Sequence, residues 1–144
     1  MQRSEVPGLT HENTMKLRTL SIGLSTVVLV GVMCVPAYLG AHDGIANMLF
    51  ATLFLLPFCG FPPIVSMVIA GYSKASTPQI ITATASFLYG IWFIYIANLA
   101  FSTVDAQGGL IFLFVGIYAL PVLLPLWITA LVLETRHRKK QAEP

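Results

Sequence analysis

The sequence predicts an all-α membrane protein: a bundle of four transmembrane helices in two hairpins, both termini cytoplasmic, with the second and fourth helices kinked. Long apolar runs cover residues 17–39, 45–72, 79–101 and 109–133. Each reaches or exceeds the ~20 residues that a helix needs to cross ~30 Å of hydrocarbon. All eight Lys and Arg then fall on one side of the membrane that these runs define. Arg3, Lys16 and Arg18 precede the first run, Lys74 lies between the second and third, and Arg136, Arg138, Lys139 and Lys140 follow the fourth. The other two connections, residues 40–44 and 102–108, hold no Lys or Arg. Cytoplasmic loops retain basic residues, so this asymmetry orients the bundle.

Composition agrees. The chain of 144 residues is 56% hydrophobic and only 10% charged, where a soluble domain carries about a quarter charged residues. Short connections leave room for one domain, residues 15–135. The net charge of +2 is small, and basic residues at membrane edges face anionic headgroups, so no nucleic-acid partner is expected.

Residues 1–14 are polar, contain Pro7 and Gly8 and show no helical period; they read as a flexible cytoplasmic arm. Lys16 and Arg18 ahead of an apolar run resemble the start of a signal peptide. The run from Thr19 to Leu39 is about twice the length of a signal core, so it reads as a retained first span. Asp43 and Asp105 stand just before the second and fourth helices, where a carboxylate accepts free N–H groups and faces the positive helix end. Thr77 is expected to cap the third helix, with Pro78 at its first position. Residues 136–144 form a basic cytoplasmic tail, with Arg136, Arg138, Lys139 and Lys140 as the expected lipid-headgroup contacts. A shift of 62 residues aligns Asp43 with Asp105, Pro63 with Pro125 and Lys74 with Arg136, which hints at a parallel repeat of two hairpins.

Two features of the spans could carry function. The second run holds Pro57, Gly60, Pro62 and Pro63 near its centre, and the fourth holds Pro121 and Pro125. Proline removes the bond to the carbonyl four residues back, which frees the carbonyls of Leu53, Phe58, Cys59 and Ile117. Unpaired backbone in hydrocarbon costs several kcal/mol and must be met by neighbours or water. A mid-membrane cavity or hinge where the two proline clusters meet is one outcome; a pair of packing kinks is the other. Tyr89 is placed to reach a freed carbonyl. Along the third run, Gln79, Thr82, Ser86, Gly90 and Ala97 share one face. Small residues at this spacing let helix backbones approach closely, and the expected neighbour is the second or fourth helix. Asn98 is expected to bond a neighbouring helix.

Catalytic signals are missing. No ionisable residue lies deep in any run, which leaves no proton relay and no acid–base pair at the core. Cys34 and Cys59 both sit in apolar runs and read as small buried hydrophobes. Met33, Cys34, His42 and Met48 cluster near the outer side but lack a recurring ligand spacing, so neither a metal nor a cofactor is expected. The expected role is a non-enzymatic accessory or interaction subunit, partnered by the bilayer and by another membrane protein or itself. The alternative is a channel or carrier for a neutral or lipid-like substrate that uses the proline-lined centre.

Overall fold

The computed structural model describes residues 7–41, 44–102 and 108–142. Among these the chain is entirely helical apart from short connections. The elements are α1 (Pro7–Ala41), α2 (Ile45–Leu55), a π-helical turn (Leu56–Gly60), α3 (Phe61–Tyr72), α4 (Ser76–Ser102) and α5 (Gly108–Ala142). Four stretches are long and apolar enough to span a membrane: Asn13–Val35, Ile45–Tyr72, Ser76–Ser102 and Ile111–Ala142.

Helix extends further than the apolar runs. α1 begins at Pro7, inside the stretch expected to be a flexible arm. Proline suits a first helical position because its missing N–H has no intrahelical partner there. Once the apolar span is helical, each further residue adds a bond at little cost. The same reasoning carries α5 to Ala142, through the residues expected to form a tail. At 35 residues each, α1 and α5 are about 52 Å long. That exceeds the ~40–45 Å of a whole bilayer.

Asp43 and Asp105 lie outside the described residues. At the start of α2 the N-cap position belongs to Gly44, whose φ of 105° favours glycine, and no side chain caps it. α4 begins at Ser76, so Thr77 lies in the first helical turn and is exposed where a cap was expected.

α3 and α4 form the middle of the bundle, and each packs against both α1 and α5. α1 and α5 stand on opposite flanks. Two equivalent hairpins would pack the same way around a shared axis, and this arrangement does not. The core runs through Val32, Cys59, Tyr89, Phe93, Phe112, Val115, Leu123 and Trp127. Phe93 meets Phe112 with ring centroids 6.0 Å apart, and Phe61 meets Trp127 edge-on at 6.1 Å. Val27, Leu53, Ile94 and Val122 point outward. With apolar residues on both sides, packing quality rather than hydrophobic transfer holds such a bundle together.

Candidate functional site

The proline-broken centre of the second span is filled by its neighbours. The ladder shifts through the π turn Leu56–Gly60, and α3 restarts at Phe61 with Pro62 and Pro63 in its second and third positions. Pro62 and Pro63 are buried, whereas Pro57 is exposed. The Cys59 carbonyl, freed by Pro63, accepts a hydrogen bond from the Tyr89 hydroxyl, the partnership that the spacing suggested. The Phe58 carbonyl, freed by Pro62, lies against Gly116 of α5. A Cβ built on that glycine would stand 2.0 Å from the Phe58 oxygen. The Cys59 thiol donates to the Phe112 carbonyl at 2.8 Å. Gly60 is hemmed less tightly: its Cβ would meet the side-chain ends of Leu29 and Met33 of α1 at 3.2 and 3.3 Å.

The two proline clusters do not meet. Pro121 and Pro125 are exposed on the outer side of α5, while Leu123 and Trp127 of the same helix turn inward. Hydroxyls that would line a wet centre are also taken. Ser66 accepts from Trp127 Nε1 at 3.1 Å, and Thr82 donates to the Pro78 carbonyl at 2.7 Å. Ser86 pairs with Ser25 of α1 at 2.7 Å.

That last pair corrects the expected neighbour of the small-residue face. Gln79, Thr82, Ser86 and Ala97 are buried, but Ser86 and Gly90 meet α1, not the second or fourth span. A Cβ on Gly90 would lie 3.2 Å from Val28. A stripe of small residues identifies a face suited to close approach without identifying the helix that uses it. Asn98 is exposed, so it does not serve as an interhelical contact.

A polar cluster at the Lys/Arg end ties four helices together. α3 ends there and presents free carbonyls; α4 begins there and presents free N–H groups. Arg18 of α1 donates to the Gly71 carbonyl at 2.6 Å. Arg138 of α5 donates to the Tyr72 carbonyl at 2.8 Å and lies 4.0 Å over the Tyr72 ring. Glu134, with its side chain fully buried, accepts from the backbone N–H groups of Lys74 and Ala75 at 3.0 and 3.2 Å, and from Arg138 Nε at 2.9 Å. Cations therefore meet the negative end of α3, and a carboxylate meets the positive end of α4, as the helix dipoles favour. Arg138, expected at lipid headgroups, is thus engaged within the bundle; Arg136, Lys139 and Lys140 are exposed. Glu134 was missed in the sequence although a signal existed. It is the one acidic residue between Gly108 and Ala142, at the margin of an apolar run, with an arginine four residues on.

Two hollows on the surface of the described residues bear on function. One, of about 420 Å³, lies at the Lys/Arg end and is lined by Arg18, Ser73, Lys74, Gln79, His137 and Gln141, among others. The second is an apolar groove of about 630 Å³ along α4 and α5, lined by Trp92, Tyr95, Tyr118, Ala119, Val122 and Leu123, among others. Trp92 is fixed by a bond from Nε1 to the Val115 carbonyl at 3.2 Å, and Tyr95 stacks on it at 6.1 Å. Compared with known proteins, the chain matches no family model, no curated protein and no solved structure.

Proposed function

We propose that the protein is a small, non-enzymatic interaction subunit of a bacterial cytoplasmic membrane, which holds a transmembrane helix of another membrane protein in the groove between α4 and α5. In this reading the four spans form two hairpins with both termini cytoplasmic, following the placement of Lys and Arg. The second span bends at its π turn and the fourth at Pro121–Pro125. The Lys/Arg end faces the anionic headgroups of the inner leaflet.

The observation that carries the proposal is the groove itself. Its walls include Trp92, Tyr95 and Tyr118, and aromatic side chains dominate protein contacts. Trp92 is held by a hydrogen bond and Tyr95 by stacking, so little side-chain freedom is lost on docking. Ala119 lines the groove, small enough for a partner backbone to come close. Transport through the proline-lined centre lacks such support, because the freed Cys59 carbonyl and the hydroxyls of Ser66, Thr82 and Ser86 are hydrogen-bonded within the chain and the Phe58 carbonyl is packed against Gly116.

The test is site-specific photo-crosslinking in membranes, with the probe at Val122 in the groove or at Val27 on exposed α1. A discrete protein adduct from Val122, absent from Val27 and lost on Ala119→Phe, is the expected result. A doubled mass would identify a second copy as the occupant. Lipid adducts alone, or equal labelling from both positions, would refute the docking role.

A further inference from the structure

We propose that the hollow at the Lys/Arg end is a binding site for a phosphate ester that also carries a hydroxyl or ammonium donor, such as the headgroup of an anionic phospholipid. The site is built from three parts of the chain. Arg18 comes from α1, Ser73, Lys74 and Gln79 from the α3–α4 connection and the first turn of α4, and His137 from α5. It lies beside the α3–α4 connection and is lined from both α1 and α5.

Three features define the ligand. The first is charge. Arg18 and Lys74 are cationic, His137 adds a third nitrogen base, and no carboxylate lines the hollow among the described residues. Glu134 on α5 is engaged by two backbone N–H groups and Arg138. An anion entering the hollow therefore meets positive groups from separate elements, a geometry suited to the several oxygens of a phosphate.

The second feature is an orphaned acceptor. Gln79 is 1% exposed, and its Nε2 donates to the Ser73 carbonyl at 3.0 Å. That bond fixes the amide orientation and leaves Oε1 buried without a hydrogen-bond partner. Buried polar atoms are rarely left so. A ligand that supplied only phosphate oxygens would repel this atom, whereas an alcohol or ammonium on the ester would satisfy it. The third feature is size: about 420 Å³ falls in the range of small-ligand sites, ~300–1,000 Å³. A polar phosphoester fits the volume, and no acyl chain is needed to fill it.

The ligand could come from the adjoining leaflet or from solution. Both sources are tested on the full-length protein in nanodiscs of phosphatidylcholine containing phosphatidylglycerol, with retained lipid counted by native mass spectrometry. Nanodiscs present the same lipid to both ends, so the result does not depend on the orientation of the chain. Lys74→Gln/His137→Gln should lower phosphatidylglycerol occupancy by about tenfold, as expected for losing charge beside a headgroup. Lys139→Gln/Lys140→Gln removes basic residues outside the hollow and should leave occupancy within about twofold. If glycerol 3-phosphate at millimolar concentration displaces the lipid, the site reads the free ester; if not, it reads the lipid, and either result supports the site. Equal losses in the two double variants would reduce the effect to general surface charge. No enrichment of phosphatidylglycerol and no binding of glycerol 3-phosphate in the unmodified protein would equally overturn the proposal.

Discussion

Glu134 and Arg138 stand one turn apart on α5 and share the connection between α3 and α4. The carboxylate takes the N–H groups of Lys74 and Ala75, and the guanidinium takes the Tyr72 carbonyl while it bonds Glu134 at 2.9 Å. One short stretch of α5 thus serves the end of one helix and the start of the next. The three donors aimed at Glu134 are all N–H groups, so the side chain is needed as a carboxylate.

Glu134→Gln should destabilise the protein by about 1.5–3 kcal/mol, the range for hydrogen bonds to a charged group. Most of that loss belongs to the backbone contacts, because the Arg138 side chain is 37% exposed and its pairing is screened. A glutamine would turn an NH2 group toward one of the N–H donors. The loss should appear as a lower melting temperature in detergent and as faster hydrogen exchange at Lys74 and Ala75. Unchanged exchange at both amides would remove Glu134 from this role.

Tyr89→Phe removes the donor that serves the Cys59 carbonyl. The expected cost is about 1 kcal/mol, typical of hydrogen bonds between membrane helices. In a Pro63→Ala background a backbone N–H becomes available to the same carbonyl, so the phenylalanine should cost clearly less there. A double-mutant cycle on thermal or chemical unfolding reads this coupling directly. Strict additivity would mean that the hydroxyl and the missing N–H are unrelated.

Glycines separate into two classes. Gly116→Ala places a methyl 2.0 Å from the Phe58 oxygen and must push α5 off the π turn, at a cost of about 2–3 kcal/mol. Gly23→Ala meets nothing within 4 Å and should shift stability by less than about 1 kcal/mol. Melting temperatures of the two variants in one detergent decide the matter, and similar values would contradict the close contact.

Gly90→Leu drives a branched side chain into Val28 of α1. Overpacking of this kind costs about 1–3 kcal/mol. Val28→Ala in the same chain should return part of the loss by making room. If Gly90→Leu changed neither thermal stability nor oligomer size, the face would be lipid-exposed and the packing of α4 on α1 would be wrong.

Orientation is checked by labelling. With Cys34 and Cys59 replaced by serine, a cysteine at Ala106 should react with an impermeant thiol reagent added outside intact cells, and one at Gln141 should not. The reverse pattern would invert the proposed topology.

Some of this was legible from residues alone, for physical reasons. A span announces itself through an unbroken apolar run, so the four long helices follow from composition and length. Proline names the carbonyl that it frees, so the needs of Cys59 and Phe58 could be located four residues upstream of Pro63 and Pro62. What lies against those carbonyls was less legible. Tyr89 could be nominated by its depth, but Gly116 is one glycine among several until α5 is seen resting on the π turn. Periodicity gave the face occupied by Ser86 and Gly90, yet the identity of the facing helix depends on how the spans are arranged, and that helix proved to be α1. Capping failed for a related reason. Thr77 is the local candidate for the start of α4, whereas the group beside those N–H donors is Glu134, sixty residues away along the chain.

The same sixty residues separate two moments in synthesis. Chains emerge N-terminal end first, so the first three spans and the connection at Lys74 and Ala75 are made before Glu134 and Arg138 exist. Until α5 arrives, those N–H groups and the Tyr72 carbonyl have only water and headgroups to bond. The newly inserted chain is therefore an unlatched intermediate, membrane-embedded but unfinished at one end. Entry of the last span closes it, exchanging solvent for a carboxylate and a guanidinium within a single helical turn.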